Sequence, residues 1–336
     1  MSAHDEHRAA ETAATSTAAA SAASPDATSA TTSTTTAVET TAGAPSAGGH
    51  LLGAADIRRI AADAGISPTK KFGQNFVIDP GTVRRIVREA GVGADDHVLE
   101  VGPGLGSLTL AILETGARMT AVEIDPPVAQ RLPGTIAEFM PQATDRLRVV
   151  HADALTLTPR NLPDFDDDAS FTLVANLPYN VATPILLTLL ERFDNLGSFL
   201  VMVQKEVADR LSAQPGSKIY GTPSVKLAWY GVAKSVGTIG RNVFWPAPNV
   251  DSALVRFDRH APGEGPAAHA KAGREAAFAL IDAAFGQRRK TLHAALRKVV
   301  PEGAFAKAGI DMTRRGETLT VDEFVRLADA AKELGA

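Results

Sequence analysis

Between residues 97 and 204, short apolar runs alternate with segments in which apolar residues return every third or fourth position. The runs at 97–101, 118–123, 147–150, 171–175 and 198–203 predict strands, and the segments at 105–115, 126–133 and 181–193 predict the helices between them. Such alternation predicts an α/β fold with a doubly wound, mostly parallel sheet. Two later strands are expected at 224–237 and 252–258. Ahead of the sheet, 54–64 and 80–90 have helical spacing, with Ile57, Ile60 and Ala61 on one face. Beyond Pro262-Gly-Glu-Gly-Pro266 the pattern turns helical: 272–286, 288–299, 302–308 and 321–333 predict short amphipathic helices, the last opened by a capping box at Thr320-Val-Asp-Glu323. The expected division is a tail at 1–50, an α/β domain at 51–260, and a small all-helical domain at 267–336 after a Pro/Gly linker.

Composition sets the tail apart. Ala, Thr and Ser dominate residues 1–50, and so few bulky apolar side chains cannot offset the entropy of ordering the segment, so disorder is expected. A secretory signal would need an apolar core that the tail lacks, and a transit peptide would be rich in Arg and poor in acids, whereas the tail has one Arg and five acids. An overextended gene start is the alternative reading. The chain has no cysteine, which excludes disulfides and thiolate metal sites, and no metal is expected. No apolar run approaches the roughly 18 residues of a membrane span, so no membrane association and a cytoplasmic location are expected. The net charge of −4 argues against nucleic acid only on average, because the tail accounts for all of it. Residues 256–300 carry nine Lys or Arg against four Asp or Glu, a local positive patch that a polyanion would feel.

Candidate chemistry gathers at the ends of the predicted strands. The run Val98-Leu-Glu-Val-Gly102-Pro-Gly104-Leu-Gly106 leads from a strand through three alternate glycines into an apolar helix. Its G-x-G-x-G spacing differs from the dinucleotide fingerprint and points to a nucleoside ligand, although a plain strand-to-helix turn would also read this way. The next strand ends in Glu123, at the offset expected for a carboxylate on ribose hydroxyls, and the third ends at Asp153, placed to accept from an adenine amino group. Singly, each acid also fits a solvated strand end. After the fourth strand comes Asn176-Leu177-Pro178-Tyr179, where an amide and a turn-fixed carbonyl can accept both protons of an exocyclic amine while an aromatic stacks on its ring. A helix cap with a proline turn is the plainer reading of the same tetrad.

These blocks, with five others in the same order, resemble the small-subunit rRNA adenine N6,N6-dimethyltransferases (the KsgA/RsmA family), relatives of the erythromycin-resistance rRNA methyltransferases. The others are Lys71-Phe-Gly-Gln-Asn75-Phe-Val-Ile-Asp79, Val122-Glu-Ile-Asp125 with Ala152-Asp153-Ala154, Gln204-Lys-Glu-Val-Ala-Asp-Arg210, Phe244-Trp-Pro-Ala-Pro-Asn-Val-Asp-Ser252 and Phe285-Gly-Gln-Arg-Arg-Lys-Thr-Leu292, and the likeness runs from about Asp56 to the C-terminus. The resemblance implies a Rossmann-like class I methyltransferase sheet with an added antiparallel strand and a small C-terminal all-helical domain. It implies S-adenosyl-L-methionine as cofactor and dimethylation of two adjacent adenines in the 3′-terminal hairpin of 16S rRNA, in the assembling small ribosomal subunit. It assigns Asn75, the Val77 backbone, Gly102, Gly104, Glu123, Asp153 and Asn176 to the cofactor. It gives Asn176, the Leu177 carbonyl and Tyr179 to the target adenine, with Phe244 as a candidate second wall. It gives Arg288, Arg289, Lys290, Arg297 and Lys298 to the rRNA backbone, where a solvated helix face is the simpler reading.

Other functions stay open on the sequence. A large-subunit relative acting on one adenine of 23S rRNA shares the glycine loop, and a ribosome-assembly factor whose methylation is incidental would share every block. A nicotinamide dehydrogenase fits less well, because the loop spacing differs and no proton-relay His or Lys follows. A monomer is expected.

Overall fold

A computed structural model describes residues 50–68, 74–165 and 169–335. The expected disordered tail, and the Lys71–Gly73 part of the segment ahead of the sheet, lie outside the described residues. The chain opens with α1 (Ala54–Asp63), a two-residue strand β1 (Phe76–Val77) and α2 (Pro80–Ala90). It then alternates β2 (His97–Val101), α3 (Ser107–Glu114), β3 (Arg118–Glu123), α4 (Pro126–Phe139), β4 (Leu147–His151), β5 (Phe171–Asn176), α5 (Ala182–Arg192) and β6 (Leu196–Gln204). Next come α6 (Lys205–Leu211), α7 (Thr222–Tyr230), β7 (Gly231–Ile239), β8 (Phe244–Trp245) and β9 (Ser252–Arg259). Four helices close the chain: α8 (Arg274–Gly286), α9 (Leu292–Leu296), α10 (Glu302–Ala308) and α11 (Val321–Glu333).

The main sheet has seven strands in the order β4-β3-β2-β5-β6-β9-β7. The first five are parallel, and β9 and β7 run antiparallel at one end, so the expected α/β sheet with its antiparallel addition is present. Successive side chains along the parallel strands face opposite layers. Val98, Val174 and Leu200 pack with α1, α2, α3 and α4 on one side, while Leu99, Leu173 and Phe199 pack with α5 and α7 on the other. The strand order reverses between β2 and β5, whose carboxyl ends bear the glycine loop and Asn176. This is the crevice in which open α/β sheets hold ligands.

Two expectations need correction. The segment 224–237 is not one strand: Thr222–Tyr230 is helical and only Gly231–Ile239 is extended. Thr222-Pro223 supplies the helix start, with Ser224 accepting from the Gly221 N–H at 3.1 Å, and the apolar side chains Val225, Leu227, Trp229 and Tyr230 are buried against the other helices. The helix expected over 288–299 is confined to Leu292–Leu296, with Thr291 capping it through the Ala294 N–H. The basic residues therefore occupy the turns on either side of α9.

Residues 47–336 form one compact unit. The terminal helices contribute Leu280, Ile281, Phe305, Phe324 and Leu327 to the same buried cluster as β5, α5 and β6. Across that contact Lys226 on α7 lies 2.8 Å from Asp282 and over the Phe278 ring, and Arg274 donates to the Tyr230 hydroxyl at 3.1 Å. The capping box is formed as expected, with Thr320 accepting from the Glu323 N–H and Glu323 accepting from the Thr320 N–H.

Candidate active site

The pocket at the sheet's switch point is lined by the glycine loop, the ends of β3 and β5, Asp153, and the strap Gln74–Val77 that crosses it. In the loop, Gly102 and Gly104 have φ of 71° and 56°, a region that side chains disfavour. A Cβ on Gly104 would also stand 2.9 Å from the Phe76 ring, so bare backbone is needed where the strap passes. Ser107, the first residue of α3, donates to the Val77 carbonyl at 2.6 Å and fixes the strap from below.

Glu123 ends β3 on the pocket wall, only 6% exposed. Burial pushes its pKa up, while the N–H groups of Asp125, Gly104 and Ile124 pull it down. Those N–H groups donate to the carboxylate at 3.0, 3.3 and 3.0 Å. Asp153 caps the short turn after β4, with Oδ1 accepting from the Leu155 N–H at 2.9 Å. Asn176 ends β5, and its Nδ2 donates to the Asn75 carbonyl at 3.1 Å, which leaves Oδ1 as the acceptor available to a ligand. Leu177 is buried and its N–H donates to Met202 of β6 at 3.0 Å, and among the described residues nothing donates to its carbonyl. Tyr179 is half-buried. Its hydroxyl meets Ser252 Oγ at 2.9 Å, and burial raises its pKa while that hydrogen bond opposes the rise.

The structure thus brings together Asn75, Val77, Gly102, Gly104, Glu123, Asp153, Asn176, Leu177 and Tyr179. It does not bring Phe244 to the pocket surface: Phe244 pairs with Val77 in the β1–β8 ladder and is 3% exposed. Its ring supports the strap from the core, and Trp245 packs against Phe76 beside it. Arg289, Lys290, Arg297 and Lys298 are exposed, whereas Arg288 is half-buried, donating to Glu317 at 2.8 Å and to the Lys218 carbonyl at 2.6 Å.

Three groups at the site were given no role of their own from the sequence. Ser252 holds the Tyr179 hydroxyl, and Asp125 accepts from Gln74 Nε2 at 2.8 Å. Glu100 lies 1% exposed beneath the glycine loop, accepting from Thr109 at 2.7 Å, and its pKa is pushed up to about 8 by burial. Its signal was a lone acid within an otherwise apolar strand.

Compared with families of known proteins, residues 67–333 match the ribosomal RNA adenine dimethylase family. The chain belongs to that family. A ribosomal RNA small subunit methyltransferase A from Bifidobacterium adolescentis is 82% identical over 292 residues, covering 86% of this chain and 96% of the relative. The protein of the same name from Thermobifida fusca is 56% identical over 289 residues, covering 84% and 97%. Among solved structures, the 23S rRNA methyltransferase ErmE aligns with a TM-score of 0.57 and 26% identity, over 77% of this chain and 100% of its own. A dimethyladenosine transferase from Plasmodium falciparum aligns with a TM-score of 0.61 over 75% and 95%, and at 21% identity it supports the fold alone. The dimethylase family uses S-adenosylmethionine, and the pocket fits it: bare glycine backbone, a buried carboxylate at a strand end and a second acid one strand further match the three parts of that nucleoside.

Proposed function

We propose that this chain transfers methyl groups from S-adenosylmethionine to the N6 atoms of two adjacent adenines in the 3′-terminal hairpin of 16S rRNA, acting as a monomer on the assembling small subunit. The observation that carries the reading is the orientation of Asn176, whose Nδ2 is engaged by the Asn75 carbonyl at 3.1 Å, which leaves Oδ1 as the acceptor for a ligand. The adenine N6 lone pair is delocalised into its ring. Asn176 Oδ1 and the Leu177 carbonyl, accepting its two protons, bias the nitrogen towards a tetrahedral form and aim the lone pair. Tyr179 stacks on the base, held at its hydroxyl by Ser252. When bound, the cofactor supplies a methyl carbon on a sulfonium, whose C–S bond breaks as the N–C bond forms. With so good a leaving group, no strong base is needed before attack, and positioning carries the rate. The N6 proton leaves afterwards to water. Gly102 and Gly104 would lie against the methionine part, Glu123 would hold the ribose hydroxyls and Asp153 the cofactor's adenine amine. Arg289, Lys290, Arg297 and Lys298 contact the rRNA backbone, with Arg288 holding their turn to the protein.

The relatives named as small-subunit methyltransferases support this substrate over 23S rRNA, because they match nearly end to end at far higher identity than ErmE. The test is methyl transfer from radiolabelled cofactor to small subunits that lack the modification, followed by nucleoside analysis. Dimethyladenosine at two adjacent 3′-end positions is expected, and an Asn176→Ala variant should bind subunits yet leave them unmethylated. Label appearing in naked 23S rRNA and not in small subunits would overturn the substrate assignment.

A further inference from the structure

The two ends of the pocket are joined by hydrogen bonds that pass through the strap. At the ribose end, Glu123 Oε1 accepts from the N–H groups of Ile124 and Asp125, both at 3.0 Å, which fixes the turn after β3. That turn presents the Asp125 carboxylate, whose Oδ2 accepts from Gln74 Nε2 at 2.8 Å. Asp125 stands at the N-cap position of α4 but its side chain caps none of the helix N–H groups. Its contact is with the strap instead. From Gln74 the chain runs directly into Asn75, whose carbonyl receives Asn176 Nδ2 at 3.1 Å. The far end of the strap is pinned independently, by Ser107 on the Val77 carbonyl, by the pairing of β1 with β8, and by the Ile78 N–H donating to the Val243 carbonyl at 2.8 Å. At the Gln74 end the side chain is anchored on Asp125.

The orientation of the Asn176 amide matters chemically. Turned by half a rotation it would present an NH₂ group to the amine of the target adenine, donor against donor, and the acceptor that aims the lone pair would be lost. The Asn75 carbonyl distinguishes the two orientations, and its place depends on where the strap begins. We propose that Gln74 and Asp125 form a latch that positions Asn176, so that Gln74 is a positioning residue for methyl transfer though it stands at the cofactor's side of the pocket. This rests on the reading that Asn176 Oδ1 accepts from the target amine. Ordering the turn at Glu123 then orders the amide at the other end, and occupation of the ribose site prepares the target site.

The test compares Gln74→Ala, Asp125→Ala, the double variant and Asp125→Asn, which keeps an acceptor oxygen for Gln74. Single-turnover rates on small subunits, the affinity for those subunits, the cofactor dissociation constant by calorimetry and the melting temperature are measured for each. The latch predicts that both alanine variants lose roughly 10- to 100-fold in rate, the range for a displaced positioning group. It predicts that the double variant is no worse than either, that Asp125→Asn recovers most of the rate, and that subunit affinity and melting temperature stay at the wild-type level. Hydrogen exchange at the amides of residues 75–77 should rise in the alanine variants, a readout independent of activity. Wild-type rates in both alanine variants, additive losses in the double, or a loss confined to cofactor affinity would each overturn the latch. Asn176→Ala separates this from failure of the underlying reading: if it still methylates, the role of Asn176 fails, whereas an inactive Asn176→Ala beside a fully active Gln74→Ala removes the latch alone.

Discussion

At the scale of single residues, the strand-end groups were legible and their settings were not. Glu123, Asp153 and Asn176 could be placed together because parallel strands deliver their carboxyl ends to one rim. That Glu123 accepts three backbone N–H groups depends on how its own turn and the glycine loop fold around it, and that Asn176 leans on Asn75 depends on the path of a strap that sequence spacing does not trace. The setting of Phe244 was hidden for a like reason: its partner Val77 is far away in sequence, and the ladder between them sets the ring in the core. Three outcomes belong at this scale. Tyr179→Ala should lose about 1–3 kcal/mol of target-base stacking, while Tyr179→Phe, which keeps the ring, should stay within a few-fold of wild type in methyl transfer. Gly104→Ala forces a Cβ towards Phe76 at a φ of 56° and should weaken cofactor binding in calorimetry, with about 1–2 kcal/mol of backbone strain alone. Glu100 ionises near its ordinary 4.5 when unfolded but only at about 8 when folded, because of burial and, secondarily, the neighbouring Glu123 charge, while Thr109 opposes the shift. Its contribution to stability is therefore full below the lower value and falls as pH rises towards the upper. Urea melts at pH 5 and pH 8 should show that fall in the wild type and a shallower one in Glu100→Gln, the remainder coming from Glu123, whose pKa is also raised.

At the scale of elements, the inner parallel strands β2, β3, β5 and β6 could be read because burial on both faces makes each a nearly continuous apolar run, while the edge strand β4, only partly buried, was marked by its Val149-Val150 pair. The segment 224–237 shows the limit of that signal. Val225, Leu227, Trp229 and Tyr230 suit a strand by type, but Thr222-Pro223 starts a helix, and burial against the other helices decides in its favour. The two-residue strands β1 and β8 left no periodicity at all. By contrast the box that opens α11 was visible, since both partners lie within four residues. Thr320→Ala should lower the stability by about 1 kcal/mol without altering cofactor affinity, because no residue of α11 lines the pocket. Differential scanning calorimetry beside isothermal titration would separate the two quantities.

At the scale of the whole molecule, a single compact unit spans residues 47–336, and the helical segment shares its core with the sheet. Heating should therefore melt both in one transition, seen alike by near-UV and far-UV circular dichroism. The charge balance, neutral outside the tail, conceals the turns that flank α9. Replacing Arg289 and Lys290 together with Ala should weaken binding to small subunits and lower the salt dependence of the affinity by roughly one unit of log–log slope per lost phosphate contact. Arg288→Ala should also lower the melting temperature, since its guanidinium is spent on Glu317 and the Lys218 carbonyl.

The pairing of β1 with β8 has a consequence for the order in which the protein is made. Glycine loop, acids and Asn176 have all been translated by residue 176, yet the strand that backs the strap arrives only with residues 244–245, and the serine that holds Tyr179 later still. A nascent chain that has emerged only as far as β6 carries every group assigned to the cofactor but neither of these supports. The pocket thus becomes complete late in synthesis, when the last strands of the sheet have cleared the ribosome that is building them.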